Sequence, residues 1–310
     1  MGMSGAYGES DRPESIATVQ AALDAGVTLL DTGDFYGMGH NELLLAEALR
    51  SVAREDYQLS VKFGGQLGPD VSWVGFDASP AATKSAAAYS LQRLGTDYID
   101  IYRPARLDPR VPIEDTIGAI GELVDAGYVR HIGLSEVGSD TIRRAAAVRP
   151  ISDLQIEYSL VSRGVERDIL DTCRELGIGV TAYGVLSRGL IGGHWTKTSG
   201  GQGDFRSESP RFVGENLDRN LALVDTLRGV ADELGVSVAQ AAIAWVASRG
   251  TDIVPVIGAR TRERLVEALG AVKVALTDEQ LIRIEKAVPA EAVAGDRYGA
   301  AQMAALDSER

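Results

Sequence analysis

The chain has 310 residues, 45% hydrophobic and 24% charged, which suffices to bury a large core in one domain spanning 1–310 without a metal or disulfide staple. With 31 Lys and Arg against 44 Asp and Glu, the formal charge of −13 argues against a nucleic-acid or anionic-membrane surface, though not against a local basic pocket for a small anion. Cys173 is the only cysteine, so no internal disulfide can form, and its stripe with Ile169, Leu170 and Leu176 reads as buried. No secretory leader is visible and no apolar run approaches the ~18 residues of a spanning helix, so the expected location is the cytoplasm.

Short β-rich apolar runs alternate with amphipathic helices along the chain. A helix begins by about Pro13. VTLLD (27–31) reads as a strand and 41–53 as a helix. YQLSVK (57–62) precedes a helix at 80–94, and DYIDIY (97–102) precedes IEDTIGAIGELVDAG. VRHIGLS (129–135) precedes SDTIRRAAAV, and DLQIE (153–157) precedes VERDILDTCRELG. GVTAYG (179–184) precedes, after a long loop, helices at 216–235 and 238–250. DIVPVIG (252–258) precedes RERLVEALGAV, and a final helix begins near Asp278. The runs are apolar without strict alternation, as in strands buried on both faces. Repeated βα order implies a parallel sheet, and no G-x-G-x-x-G follows the early strands, so a closed (β/α)₈ TIM barrel is favoured over a Rossmann domain. The Gly-rich stretch 192–212 is too long for an ordinary connection and reads as a functional loop.

Active sites of such barrels lie at the C-terminal ends of the strands. Asp31, Tyr36, Lys62, Ser135, Gln155, Glu157, Tyr183, Arg260 and Arg264 all fall there. Asp31, Tyr36 and Lys62 suit proton transfer to a carbonyl. A tyrosine with a reference pKa of ~10 is a poor acid, a nearby ammonium should lower that value, and a carboxylate should keep the lysine charged and aimed.

LLDTGDFYGMGHNELLLAEAL, LSVKFG, GYVRHIGLSEV, DLQIEYSL, VTAYGVLSRGLIGG and VPVIGARTRERLVEAL together resemble the aldo-keto reductase family, in order and over nearly the whole chain. The resemblance implies NADPH-dependent reduction of a small carbonyl compound. It makes Asp31, Tyr36 and Lys62 members of a catalytic tetrad, with Tyr36 as general acid. It puts Tyr183 under the nicotinamide and Ser135 and Gln155 on its carboxamide. Gly184, Leu186, Arg188 and Leu190 would line the pyrophosphate, and Gly258, Arg260, Arg264 and Glu267 would clamp the adenosine and 2′-phosphate. Residues 192–212 match a loop that shapes the substrate pocket. The segment YRPARLDP resembles that of pyridoxal-reductase-like members, which points to aromatic aldehydes.

The chain departs from the family at three places. Ala105 stands where the tetrad histidine is usual, Glu136 where a carboxamide-contacting asparagine is frequent, and Ala268 where an adenine-contacting asparagine is common. Without a donor at Ala105, slow reduction of unactivated ketones is expected. His194 is a candidate replacement donor, whereas His40 and His131 read as structural. No cluster has metal-ligand spacing. The rival reading is a nicotinamide-binding sensor with little turnover. Finally, Met1 falls where a first barrel strand should end, which accounts for seven strands after residue 25. The expectation is a chain that naturally starts upstream or is destabilised, or else one in which residues 1–6 form a shortened strand.

Overall fold

The computed structural model describes residues 2–5, 7–200 and 204–310. After helix α1 (Arg12–Asp24), the chain runs β1 (Leu29–Gly33), α2 (His40–Ala48), β2 (Gln58–Phe63), a hairpin of β3 (Gly65–Leu67) and β4 (Trp73–Phe76), and α3 (Pro80–Leu94). It continues β5 (Ile99–Pro104), α4 (Ile113–Asp125), β6 (Val129–Ser135), α5 (Ser139–Val148), β7 (Ile151–Glu157), α6 (Ile169–Glu175) and β8 (Gly179–Tyr183). It ends α7 (Gly214–Leu234), α8 (Val238–Ala247), β9 (Ile253–Pro255), α9 (Arg262–Leu269), α10 (Asp278–Ala287) and α11 (Ala300–Ala304). No single helix is long and apolar enough to cross a membrane among the described residues.

Local chemistry sets many of these boundaries. Asp11 caps α1 by accepting from Glu14 N at 2.7 Å. Ser79 caps α3 and Pro80 opens it, while Gly95, at φ 65°, closes it in the left-handed region. Ser237 with Gln240, and Thr277 with Gln280, form capping boxes at α8 and α10.

The strands form a parallel seven-stranded sheet in the order β1-β2-β5-β6-β7-β8-β9. β1 and β9 are its edges and are not paired with each other, so among the described residues the curled sheet is one strand short of a closed (β/α)₈ barrel. The count of seven matches the sequence reading. Residues 1–6, however, supply no shortened strand among the described residues. Gly2–Ser4 form a 3₁₀ turn, and the first bridge, at Tyr7, pairs with Asp204 in a distant loop. Met1 and Ala6 lie outside the described residues.

Other boundaries also differ from expectation. α2 ends at Ala48, the segment before α6 is a 3₁₀ turn, and the β3–β4 hairpin and α11 have no counterpart in the apolar pattern. Leu59, Val61, Leu134, Leu154 and Ala182 are fully buried in the sheet, as doubly covered parallel strands require. Cys173 is buried, and burial pushes its thiol up to about 12, so it stays a thiol.

Candidate active site

Parallel pairing sets Asp31 beside Ser60 and Gly33 beside Lys62, which puts Asp31 and Lys62 on one face of adjoining strands. Lys62 Nζ donates to Asp31 Oδ1 at 2.5 Å. Ser60 Oγ and Gln155 Nε2 donate to Oδ2 at 2.8 and 2.7 Å. Burial pushes the Asp31 carboxyl up, but Lys62 and Arg103 outweigh it and leave it below its ordinary value. Burial, against Asp31, lowers Lys62. The Tyr36 ring lies above this pair, its centroid 5.1 Å from Lys62 Nζ. The loop leaves β1 through Gly33, where an added Cβ would meet the Tyr36 ring at 3.3 Å.

Tyr36 departs from the sequence expectation in one respect. Burial raises its phenol well above the ordinary value, and the Asp31 carboxylate and Tyr7 push the same way. The cation that opposes them is Arg106. Lys62, 5.1 Å from the ring centroid, does not overcome that burial, so the phenol is not brought below its ordinary value in this structure. Lys62 neutralises the carboxylate below, and Tyr36 is held firmly protonated.

On β6, β7 and β8 the predicted residues gather around Tyr183. Ser135 is 1% exposed and its hydroxyl has no partner. A buried, unpaired hydroxyl is costly unless a ligand satisfies it. Gln155 spends an amide N–H on Asp31, so it joins the Asp31–Lys62 pair to the strands that carry Ser135 and Tyr183. Tyr183 Oη donates to Glu136 Oε1 at 2.7 Å. Glu136 is fully buried at φ 55°, strain that only strong contacts sustain. Arg297 grips it with two bonds of 2.7 and 2.6 Å. Burial alone would raise the Glu136 carboxyl, but Arg297 and then Arg106 bring it down to about 2.

The loop after β8 runs through left-handed residues, Gly184 (φ 66°), Ser187 (45°), Arg188 (56°) and Gly189 (99°), and closes on itself, Ser187 N donating to the Gly184 carbonyl at 2.6 Å and Gly189 N to that of Leu186 at 2.8 Å. Leu186 is half-buried, whereas Leu190 points away into a small cluster with Phe212 and Leu217. The Arg188 guanidinium bonds the Arg297 carbonyl at 2.9 Å and Glu157 at 3.3 Å rather than standing free over the loop. At α9, Thr261 caps the first turn and Arg264 stands beside it, bonded to Glu267 at 3.1 Å. Gly258 is exposed just before. Arg260 turns aside and donates to the carbonyls of Tyr7 and Glu9 at 2.8 and 3.3 Å.

Segment 192–212, of which 201–203 lie outside the described residues, is stitched down. His194 Nε2 meets Glu267 at 3.0 Å and Arg264, and Arg206 donates to the Arg188 carbonyl at 3.0 Å. His194 thus belongs to the α9 end, not to the Asp31–Lys62–Tyr36 group, and supplies no donor beside Ala105. His40 opens α2, while His131 is exposed on β6.

Sequence reasoning missed Arg297 and Tyr298. Tyr298 Oη lies 3.0 Å from Tyr183 Oη and accepts from Arg106 Nη2 at 3.3 Å. The only local signal was Glu136, a carboxylate on a buried strand end that demanded a cation.

A parallel βα barrel with a buried Asp–Lys pair under a tyrosine, and ligand-ready groups on the following strands, is an oxidoreductase architecture. The model of the aldo/keto reductase family matches residues 1–289. A Glycine max protein named Probable aldo-keto reductase 1 is 40% identical over 301 residues, covering 96% of this chain and 86% of that protein. Glycerol dehydrogenase from Gluconobacter oxydans superposes with a TM-score of 0.84 at 28% identity, over 93% of this chain and 89% of that one. An aldo-keto reductase from Klebsiella pneumoniae in complex with NADPH gives 0.70 at 26% identity, over 90% and 86%. The chain belongs to the aldo/keto reductase family.

Proposed function

We propose that the chain is an NADPH-dependent reductase of aldehydes or ketones in which Tyr36 donates the proton. The observation that carries this reading is the buried Asp31–Lys62 pair under the Tyr36 ring. Family membership and the NADPH complex of the Klebsiella pneumoniae relative support the cofactor. The residues fit it. Ser135 offers an unpaired hydroxyl to the carboxamide beside Gln155, Tyr183 offers a ring to the nicotinamide, the tight left-handed turn after β8 offers a close backbone approach to the pyrophosphate, and Arg264 at the α9 N-terminus offers charge to a 2′-phosphate.

The bound cofactor supplies a hydride to the carbonyl carbon. Tyr36, kept protonated by burial, passes its proton to the carbonyl oxygen, which becomes far more basic than a phenolate as the hydride arrives. Lys62 and Arg106 stabilise the phenolate left behind. Phe35, edge-on to Tyr36 at 4.9 Å, and the half-exposed Trp73, 6.1 Å from Phe35, form an aromatic wall beside the mouth. That wall favours aromatic aldehydes, as the YRPARLDP segment does. The test is the fall of NADPH absorbance with a panel of aldehydes and ketones. Steady turnover is expected, fastest with aromatic aldehydes. A single round of oxidation that then stops would favour the sensor reading instead.

Cofactor choice gives a second expected result. Arg264→Ala should weaken NADPH binding by about 1–3 kcal/mol, the range for a hydrogen bond to a charged group, and leave NADH almost unchanged. Fluorescence titration of both cofactors checks it. Equal losses would remove Arg264 from the phosphate site.

A further inference from the structure

Ala105 is 2% exposed at the end of β5 and offers no side-chain hydrogen bond, so the site is one donor short on that wall. The neighbouring residue, Arg106, reaches across to a residue from the far end of the chain, Tyr298, in a segment beyond the 1–289 span that the family model matches. The segment is fixed in place. Arg297 pairs with buried Glu136 at 2.6 Å, Arg188 donates to the Arg297 carbonyl and stacks on the Tyr298 ring at 4.5 Å, and Asp307 accepts from Gly138 N at 2.8 Å in front of α5.

Proton accounting shows which way the Tyr298 hydroxyl points. Glu136 is ionised and accepts only, so the single Tyr183 hydroxyl proton goes to it at 2.7 Å. Between the two phenols, 3.0 Å apart, Tyr298 is therefore the donor and Tyr183 the acceptor. Arg106 Nη2 meanwhile donates to the Tyr298 oxygen at 3.3 Å, which polarises the hydroxyl and strengthens it as a donor. Tyr298 is half-buried, so its single hydroxyl proton can leave Tyr183 and turn to a ligand instead. Arg106 Nη1 donates to the Ala105 carbonyl at 2.6 Å while its Nη2 holds Tyr298, so a single guanidinium links the Tyr298 hydroxyl to the wall at Ala105.

We propose that Tyr298, polarised by Arg106, is a second hydrogen-bond donor to the carbonyl oxygen of the substrate and fills the place left by Ala105. The step balances without a further proton. Tyr36 gives its proton to the oxygen, and Tyr298 keeps its own and only bonds the developing alkoxide. This inference rests on the reductase reading above.

The experiment compares the parent, Tyr298→Phe and Tyr298→Phe with Ala105→His. Tyr298→Phe keeps the ring and its stacking. It should lower kcat by about 10²-fold, the effect of losing one such donor, and leave the NADPH Kd unchanged. It should also weaken aldehyde binding to the NADP⁺ complex severalfold, read by tryptophan fluorescence. The added histidine should restore at least a tenth of the parent rate, since an imidazole N–H can reach the same oxygen. A Tyr298→Phe protein that turns over at the parent rate overturns the proposal. So does a loss seen equally in NADPH affinity, or one that histidine does not repair, because either places Tyr298 in cofactor binding or pocket shape. A parent that binds NADPH but reduces no carbonyl compound overturns the reductase reading and this inference with it. A parent that turns over beside an unaffected Tyr298→Phe variant overturns this inference alone.

Discussion

Tyr36→Phe is expected to lower steady-state aldehyde reduction by about 10²–10⁴-fold while leaving the NADPH Kd unchanged, the span typical of a lost proton donor. The ring remains to pack on Phe35 and over Lys62, so only the hydroxyl disappears. Because burial holds the phenol above its ordinary value, the parent rate should not fall between pH 6 and 8 through Tyr36 ionisation. Lys62→Met should lose turnover as well, but with a cost in stability that Tyr36→Phe lacks. It leaves the Asp31 carboxylate buried with only Ser60 and Gln155 as hydrogen-bond partners and Arg103 as the remaining cation. Initial rates at saturating NADPH and a fluorescence titration of the cofactor make the comparison. A Tyr36→Phe protein with the parent rate would refute the assigned proton donor.

Arg297→Met is expected to destabilise the protein by about 3–5 kcal/mol at pH 7, the cost of leaving a buried charge without its partner. Glu136 is fully buried, and in the fold its carboxyl lies at about 2 against an ordinary 4.5. A depressed folded value contributes stability that is present above 4.5 and is lost as the pH falls towards 2. Without Arg297 burial dominates instead, and the Glu136 carboxyl rises above its ordinary value. The variant then sheds its penalty by protonating Glu136 as the medium is acidified, so the gap between variant and parent should narrow below neutral pH. Urea melts at pH 7 and pH 5 measure this. Equal stability of the two proteins at pH 7 would show that the pair does not hold the C-terminal segment. Glu136→Gln should cost less than Arg297→Met, since the buried Arg297 keeps Glu309 at 2.8 Å and Glu157 at 3.6 Å as counter-charges.

Much of the scaffold was legible in the sequence because its determinants are local. Strands covered on both faces are largely apolar, so β8 and the inner part of β6 (132–135) were visible as runs. Ser79, Pro80 and Gly95 mark both ends of α3 within the helix's own sequence. The Asp31–Lys62 pair was also visible, because parallel neighbours bring the ends of successive strands together. The β3–β4 hairpin was not, since a short, Gly-rich ribbon packed on Phe35 carries little alternation of its own.

By itself, then, the amino-acid sequence determined the order of the main strands and helices and the strand ends at which Asp31, Tyr36 and Lys62, the group proposed above to carry the chemistry, stand. The tertiary structure alone decided which charge meets which. His194 went to Glu267, Arg260 to the carbonyls of Tyr7 and Glu9, Arg188 to Glu157, and Arg297 across 161 positions to Glu136. It also decided that Tyr36 is raised, not lowered, because the balance of burial and charge depends on every group around the phenol. The physical reason is the range of the forces. Periodicity and capping act within a few residues of one another, whereas a guanidinium pairs with whichever carboxylate the fold carries to it, and nothing in its own neighbourhood records that partner.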